Sequence, residues 1–383
     1  MSTGPGERMR TRKIIARAVG SVLILYAWSG YQAFAASADS ALLKAKQQAE
    51  AKGYVFYTKR DEILNRAKKE GNLRGLIGVE NSLKALTEAF RRKYPFINVE
   101  VETLRTIDDG QKALLNVKGG PGKFDIARTT PTLYSEWLPL VWKVDVLGMA
   151  EQGVLDIPPP MIDPTNRNVI ALGSRVVAVA YNKDLVSPGQ VPKSWEDMLK
   201  PEWKGKKFAT DINPAEIAGL VPAWGLEKTL DFARKIAAQQ PIWSRGAARS
   251  VAAVTAGEIP LLLHGASHSL VIGAQRKDPR GVLQFVLLEP VPVRFRIEQA
   301  ILATASNPHA ALIWLEFMAS SEGQKLMDEH EPLVASLYSK GSAAEQAIRG
   351  KKLSVVNWEQ NVQIEQWIEK LTEAYGFPRA TTK

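Results

Sequence analysis

The chain contains no cysteine. A disulfide framework and a lipid anchor carried on a cysteine are therefore both excluded, and an exported chain of this size must be held by its core. Histidine is scarce as well, with four in 383 residues. Beyond the first 36 residues no stretch is apolar and long enough to span a bilayer. Lys and Arg are numerous but dispersed, and they are not clustered among aromatics, so nothing reads as a nucleic-acid-binding module.

What is present begins with an export signal. Arg8, Arg10, Arg12, Lys13 and Arg17 make a basic start, an apolar run extends from Ala18 to Trp28, and Ala33-Phe34-Ala35-Ala36 supplies small residues for cleavage. The pattern predicts a signal peptide over 1–35, cleaved after Ala35, and a periplasmic location. A single membrane anchor is the competing reading of the same stretch. Those 35 residues hold five basic side chains and one acid, so the remainder keeps about +6 of the formal +10. A modest basic excess suits an anionic ligand and equally suits ordinary surface chemistry. The remaining length is enough for roughly two domains.

Residues 36–73 carry two helix-spaced segments, each closed by a glycine, and predict a helical N-terminal extension whose charges form a solvated face. The pattern then alternates. Strands are expected at 73–78, 97–104 and 124–129, with helices at 82–95 and 108–120 between them. Strand and helix in turn at this spacing imply an α/β fold with parallel neighbours. Two long extended stretches follow, 168–186 and 281–304. One enters a middle region and the other leaves it, as two lobes joined by a pair of crossing strands require. The expected partition is 74–174 plus 296–350 for the first lobe and 178–292 for the second. In the remainder, 351–383, a helix at 357–376 packs back on the body. Pro308 starts a strong helix with a buried stripe of Ala310, Ala311, Ile313, Trp314, Phe317 and Met318. Trp195 and Trp203 are expected in the core.

Several segments occur in an order that resembles a known family: "LTEAFRRKYPFINVEV", "GKFDIA", "VVAVAYNKDLV", "VPKSWEDMLKPEWKGK", "VTAGEIPLLL" and "NPHAALIWLEFMASSEGQKLM". The sequence is similar to the periplasmic solute-binding proteins of ABC importers, in the branch that holds the ferric-ion binders and their phosphonate, polyamine and organic-acid relatives. The resemblance spans about residues 73–340. It implies the two-lobed type II periplasmic-binding-protein fold with a two-strand hinge. It implies binding rather than catalysis, no cofactor, a monomer, and an inner-membrane importer permease as the partner that receives a small-molecule solute.

The segment "IPLLLHGASHSLVIG", Ile259 to Gly273, poses the sharpest question of function. By the resemblance, its strand ends at the cleft and the following helix presents free N–H groups to a ligand, an arrangement that suits an anion. His264, Gly265, Ala266, Ser267 and His268 would line it. Ferric-ion members carry two adjacent tyrosines here; this chain has Ala266 and Ser267, which argues against iron. Two other readings stay open. His264 and His268 with Glu80 would suit a transition-metal ion. Gly265-Ala266-Ser267-His268-Ser269 is a near match to a nucleophile elbow, which would make Ser267 a hydrolase nucleophile.

The remaining cleft walls are expected where strands end. The loop after the first strand offers Glu80, Asn81 and Ser82, with Ser82 also a possible helix cap. The loop after the third offers Arg128, Thr129 and Thr130. From the middle region come Asp211, Ile212, Asn213, Trp243, Arg245 and Ser250, and Arg175 lies at the first crossing. A guanidinium in a closed cleft pairs bidentately with a carboxylate or phosphonate, and Trp243 would cover an apolar part of the ligand. The expected ligand is a small organic anion.

Overall fold

The computed structural model describes residues 40–104, 107–120, 122–129, 133–331 and 334–377. The signal segment 1–35 and the site candidate Thr130 lie outside these.

Eleven strands among the described residues form two sheets. In chain order they are β1 (Asn72–Ile77), β2 (Asn98–Thr103), β3 (Ile126–Arg128), β4 (Val169–Val176), β5 (Val179–Asn182), β6 (Ala209–Asp211), β7 (Ile242–Ser244), β8 (Leu261–Leu262), β9 (Leu283–Val286), β10 (Val291–Ile301) and β11 (Leu353–Val355). The first sheet runs β11-β10-β3-β1-β2, with β4 also paired to β10. β1 lies parallel to both β2 and β3, as the alternation of strand and helix predicts. The second sheet runs β7-β6-β8-β5-β9. Each sheet has its own apolar core, and the result is a two-lobed α/β molecule.

Both long extended stretches cross between the lobes. Val177 and Ala178 join β4 to β5, and residues 287–290 join β9 to β10. The crossings lie side by side: β10 is antiparallel to β4, β9 is antiparallel to β5, and Val177 N–H donates to the Pro292 carbonyl at 3.0 Å. A third segment also crosses. β11 pairs with β10 in the first sheet, and Trp358 packs on Phe295 there. The helix Ile364–Ala374 then buries Ile364, Trp367 and Leu371 in the second lobe's core, joined by Tyr375. The C-terminal helix expected at 357–376 is two pieces, Trp358–Asn361 and Ile364–Ala374.

The N-terminal charges are not all a solvated face. The helix Arg60–Glu70 ends at Gly71, whose φ of 68° needs glycine. It packs along the helix Pro308–Ala319. There Arg60 makes a two-pronged ion pair with Glu316, at 2.7 Å for the shortest contact. Glu70 accepts hydrogen bonds from the backbone N–H groups of His309 and Ala310 at the start of that helix. The predicted stripe on Pro308–Ala319 is a whole buried helix, with every residue from His309 to Ala319 out of solvent. Neighbouring elements enclose it on several sides: the helices Arg60–Glu70, Leu83–Lys93 and Ser321–His330, and strands β1, β4 and β10. Trp195 and Trp203 are core residues, as expected. Among the described residues no helix is long and apolar enough to cross a membrane.

Candidate functional site

A cleft of about 800 Å³ opens beside the crossing strands. Its floor is set by a simple periodicity. Along β10 the residues Val291, Val293 and Phe295 are buried, while Arg294 and Arg296 alternate with them and point to the other side. Arg175 of β4 stands directly across from Arg294. Three arginines are thereby placed next to one another on the two hinge strands, and Arg175 and Arg296 reach the cleft.

This is an electrostatically uncomfortable arrangement. Burial, and then the positive charges of Arg175 and Arg128, pull the Arg296 guanidinium down to about 10. Arg294 is lowered as well, by burial first and by Arg175 second. Glu298, two residues along β10, is fully buried, and its carboxyl is raised by that burial against the pull of Arg128, Arg294 and Arg296. One of its oxygens has no hydrogen-bond partner, and neither does the buried Arg175 Nε. Between Arg296 and Glu298 sits Ile297 at φ 60°. A β-branched residue in the left-handed region is strained, and such strain concentrates at functional sites.

The second lobe contributes the helix His268–Gln275. Ser267 is its N-cap, accepting from Leu270 N–H, and its hydroxyl also bonds the Ser269 hydroxyl at 2.9 Å. Ser267, Leu270, Gly273 and Ala274 line the cleft from this helix, with Arg276 and Lys277 just past its end. Two carboxylates share the cleft and both are engaged. Glu216 pairs with Arg175 at 3.5 Å. Glu331 accepts from Glu80 N–H at 2.8 Å, Ser82 N–H at 3.1 Å and the Ser82 hydroxyl at 2.7 Å, so it fastens the loop after β1. Among the described residues four cations, Arg175, Arg276, Lys277 and Arg296, thus face Glu216 and Glu331, and no tyrosine lines the space.

Of the expected site residues, the structure brings Asn81, Arg175 and Ser267 into this cleft. The others that are described lie elsewhere. His264 is fully buried behind it, its Nε2 held by the Tyr375 hydroxyl at 2.6 Å and by Thr210 Oγ1. Burial brings its imidazole down to about 3. His268 is buried against Phe285, ring to ring at 4.5 Å, and burial brings it down to about 4. The two histidines therefore share no face. Among the described residues no three of His, Cys, Asp and Glu gather closely enough to hold a metal ion.

Gly265 has φ 95°, and a Cβ there would stand 2.9 Å from Asp211 Cβ, so glycine serves the close packing of two loops. Ala266 is buried, and its carbonyl accepts from Ala178 N–H of the first crossing. Asp211 accepts from Asn213 N–H and Gly246 N–H, and Asn213 in turn accepts from Ala215 N–H. These are loop ties. Ser82 is not a helix cap, because its hydroxyl goes to Glu331. Glu80 is exposed outside the cleft lining, and Thr129 is buried, its N–H given to the Glu298 carbonyl. Arg128 stays behind the floor, with Nη1 on the Leu104 carbonyl. Trp243 packs on Tyr375 and Phe377, Arg245 faces solvent, and the buried Ser250 bonds the Gly246 carbonyl. Ser267 has no histidine on its hydroxyl among the described residues, so the nucleophile reading has no base in place.

The sequence reading missed Arg296, Glu216, Arg276, Lys277 and Glu331. A signal for one of them was present. "PVPVRFRIEQ" places two arginines at period two in a strand that is otherwise apolar.

Residues 154–363 match the family described as bacterial extracellular solute-binding protein. A stretch of 174 residues is 22% identical to the Fe(3+)-binding periplasmic protein of Serratia marcescens, covering 44% of this chain and 51% of that one. The chain thus spans about half the length of this curated relative. Among solved structures, iron-bound HitA from Pseudomonas aeruginosa is 19% identical, covering 79% of this chain and 99% of that one at a TM-score of 0.57. The Trichodesmium protein IdiA (FutA), in complex with iron and citrate ligands, is also 19% identical, at 80% and 100% coverage and a TM-score of 0.60. The ferric binding protein from Campylobacter jejuni is 18% identical, at 80% and 99% coverage and a TM-score of 0.61. At these identities the likeness is one of fold.

Proposed function

Because the chain belongs to the bacterial extracellular solute-binding proteins, a match that takes in more than half of its residues, we propose that it captures a small organic anion between its lobes and hands it to the permease of an ABC importer. In this reading 74–174 with 296–350 make one lobe and 178–292 the other, and the segment 1–35 serves as a signal for export to the periplasm. The ligand is of carboxylate or phosphonate type. One observation carries this reading: among the described residues, four cations stand against two already engaged carboxylates in a cleft without a phenol. An arriving anion compensates for the burial, and then for the neighbouring positive charges, that lower Arg296. Guanidinium groups meet carboxylate or phosphonate oxygens two at a time. The Ser267 hydroxyl adds a neutral donor.

The named relatives favour a second reading, capture of ferric iron. Its difficulty is the donor set. A hard trivalent cation would enter beside four positive side chains and would have to take Glu216 from Arg175 or Glu331 from its loop.

A thermal-shift screen of the metal-stripped protein separates the two. A ligand at a hundred times its dissociation constant adds about 2.7 kcal/mol, a readable shift. Organic anions should raise the melting temperature in the presence of a chelator, and Arg296→Ala should abolish the effect. Stabilisation by ferric ion alone would overturn the anion reading and favour that of the relatives.

A further inference from the structure

The helix that lines the cleft is graded along its length. Along the helix His268–Gln275 and its flanks the cleft-lining residues Ser267, Leu270, Gly273, Ala274 and Lys277 recur at three- and four-residue spacing, with Ser269 beside the first and Arg276 beside the last. Read from the N-terminus, that lining offers a hydroxyl, then apolar and small groups, then a cation. The hydroxyl end abuts the hinge, where Ser267 bridges to Val177. Arg175 lies two residues back on that chain, and Arg296 lies beside it in the cleft. The far end carries Arg276 and Lys277, both exposed and without an ion pair among the described residues. The eight helical residues His268–Gln275 between Ser267 and Lys277 rise about 12 Å along the axis at 1.5 Å per residue. Val334 of the first lobe adds apolar surface to the lining.

Positive charge thus stands at both ends of the lining that this helix spans, with the apolar and small residues Leu270, Gly273 and Ala274 between. We infer that the ligand is an extended dianion: two anionic groups, carboxylates in the simplest case, separated by an apolar spacer. One end is received by Arg175 and Arg296 at the hinge, and the other by Arg276 and Lys277 on the second lobe. The inference rests on the organic-anion reading of the cleft. It also gives closure a direct source, because a molecule held at both ends ties the floor to the moving wall.

Calorimetry with unbranched α,ω-dicarboxylic acids of increasing length, each beside the monocarboxylic acid of equal length, tests it. Affinity should rise with chain length to an optimum. There the dicarboxylate should bind about tenfold more tightly than its monocarboxylate partner, the difference expected of one charge-assisted pair. Arg276→Ala combined with Lys277→Ala should bring the dicarboxylate down to the monocarboxylate level. Equal binding of the two acids at every length would overturn the extended dianion while leaving an organic-anion site. A preference for compact anions such as succinate or citrate would do the same. Binding of ferric ion alone would instead remove the underlying reading of the cleft.

Discussion

His264 and His268 show how a residue conspicuous in sequence can be spent on packing. Both rings are buried and held neutral, His264 down to about 3 and His268 to about 4. The unfolded chain takes up a proton near pH 6.5, whereas the folded one does not until well below that. Stability from these residues is therefore complete above about pH 6.5 and lost as pH falls towards 4. Each ring contributes a slope of up to about 1.4 kcal/mol per pH unit in that window. His268 has no hydrogen-bond partner on either ring nitrogen, so His268→Leu should fold and should flatten the fall in urea midpoint between pH 6.5 and 4. An unchanged pH profile would mean that His268 titrates normally in the folded state. The burial of His264 was not legible beforehand, since it is sealed by Tyr375, 111 residues away. Ser267 and Arg175 were legible because each sits at a strand end or crossing that the local pattern marks. Arg276 and Lys277 had no place in the sequence reading, and only their position just past the helix His268–Gln275 brings them to the cleft.

The helix Pro308–Ala319 depends on a cap supplied by another element. Its Asn307 N-cap residue makes no side-chain cap. Instead Glu70 accepts from the N–H groups of His309 and Ala310, at 3.0 Å and 2.7 Å, and also bonds His309 Nδ1 at 2.5 Å. The His309 Nε2 meets the Tyr57 hydroxyl at 2.7 Å. A carboxylate at a helix start satisfies orphan donors and complements the dipole. Glu70→Ala should therefore cost about 1–2 kcal/mol in chemical denaturation. Ligand affinity should be unaffected, because Glu70 lies outside the cleft; a matching loss of affinity would show that this helix positions the site. The strands, helices and crossings of the first lobe could be read in advance because alternation and glycine stops are local signals. That a charged N-terminal helix caps and pairs with the central apolar one could not, because Arg60–Glu316 joins positions 256 apart in sequence.

Among the described residues a third segment joins the lobes beside the two crossing strands, and it leaves the helix Ile364–Ala374 in the second core while the helix at 40–51 packs on the first. The described ends of the polypeptide consequently ride on opposite halves of the clamp. The absence of cysteine then becomes practical. Thiols introduced as Lys44→Cys and Lys370→Cys, both at exposed positions, would be the only ones in the molecule, so a donor and acceptor dye pair could be attached without background labelling. If the lobes rotate about the crossing strands on ligand capture, energy transfer between the dyes should change in step with occupancy, and it should stay constant in the Arg296→Ala protein. On that outcome the path the chain takes through its fold would make the doubly labelled protein a ratiometric reporter of lobe movement.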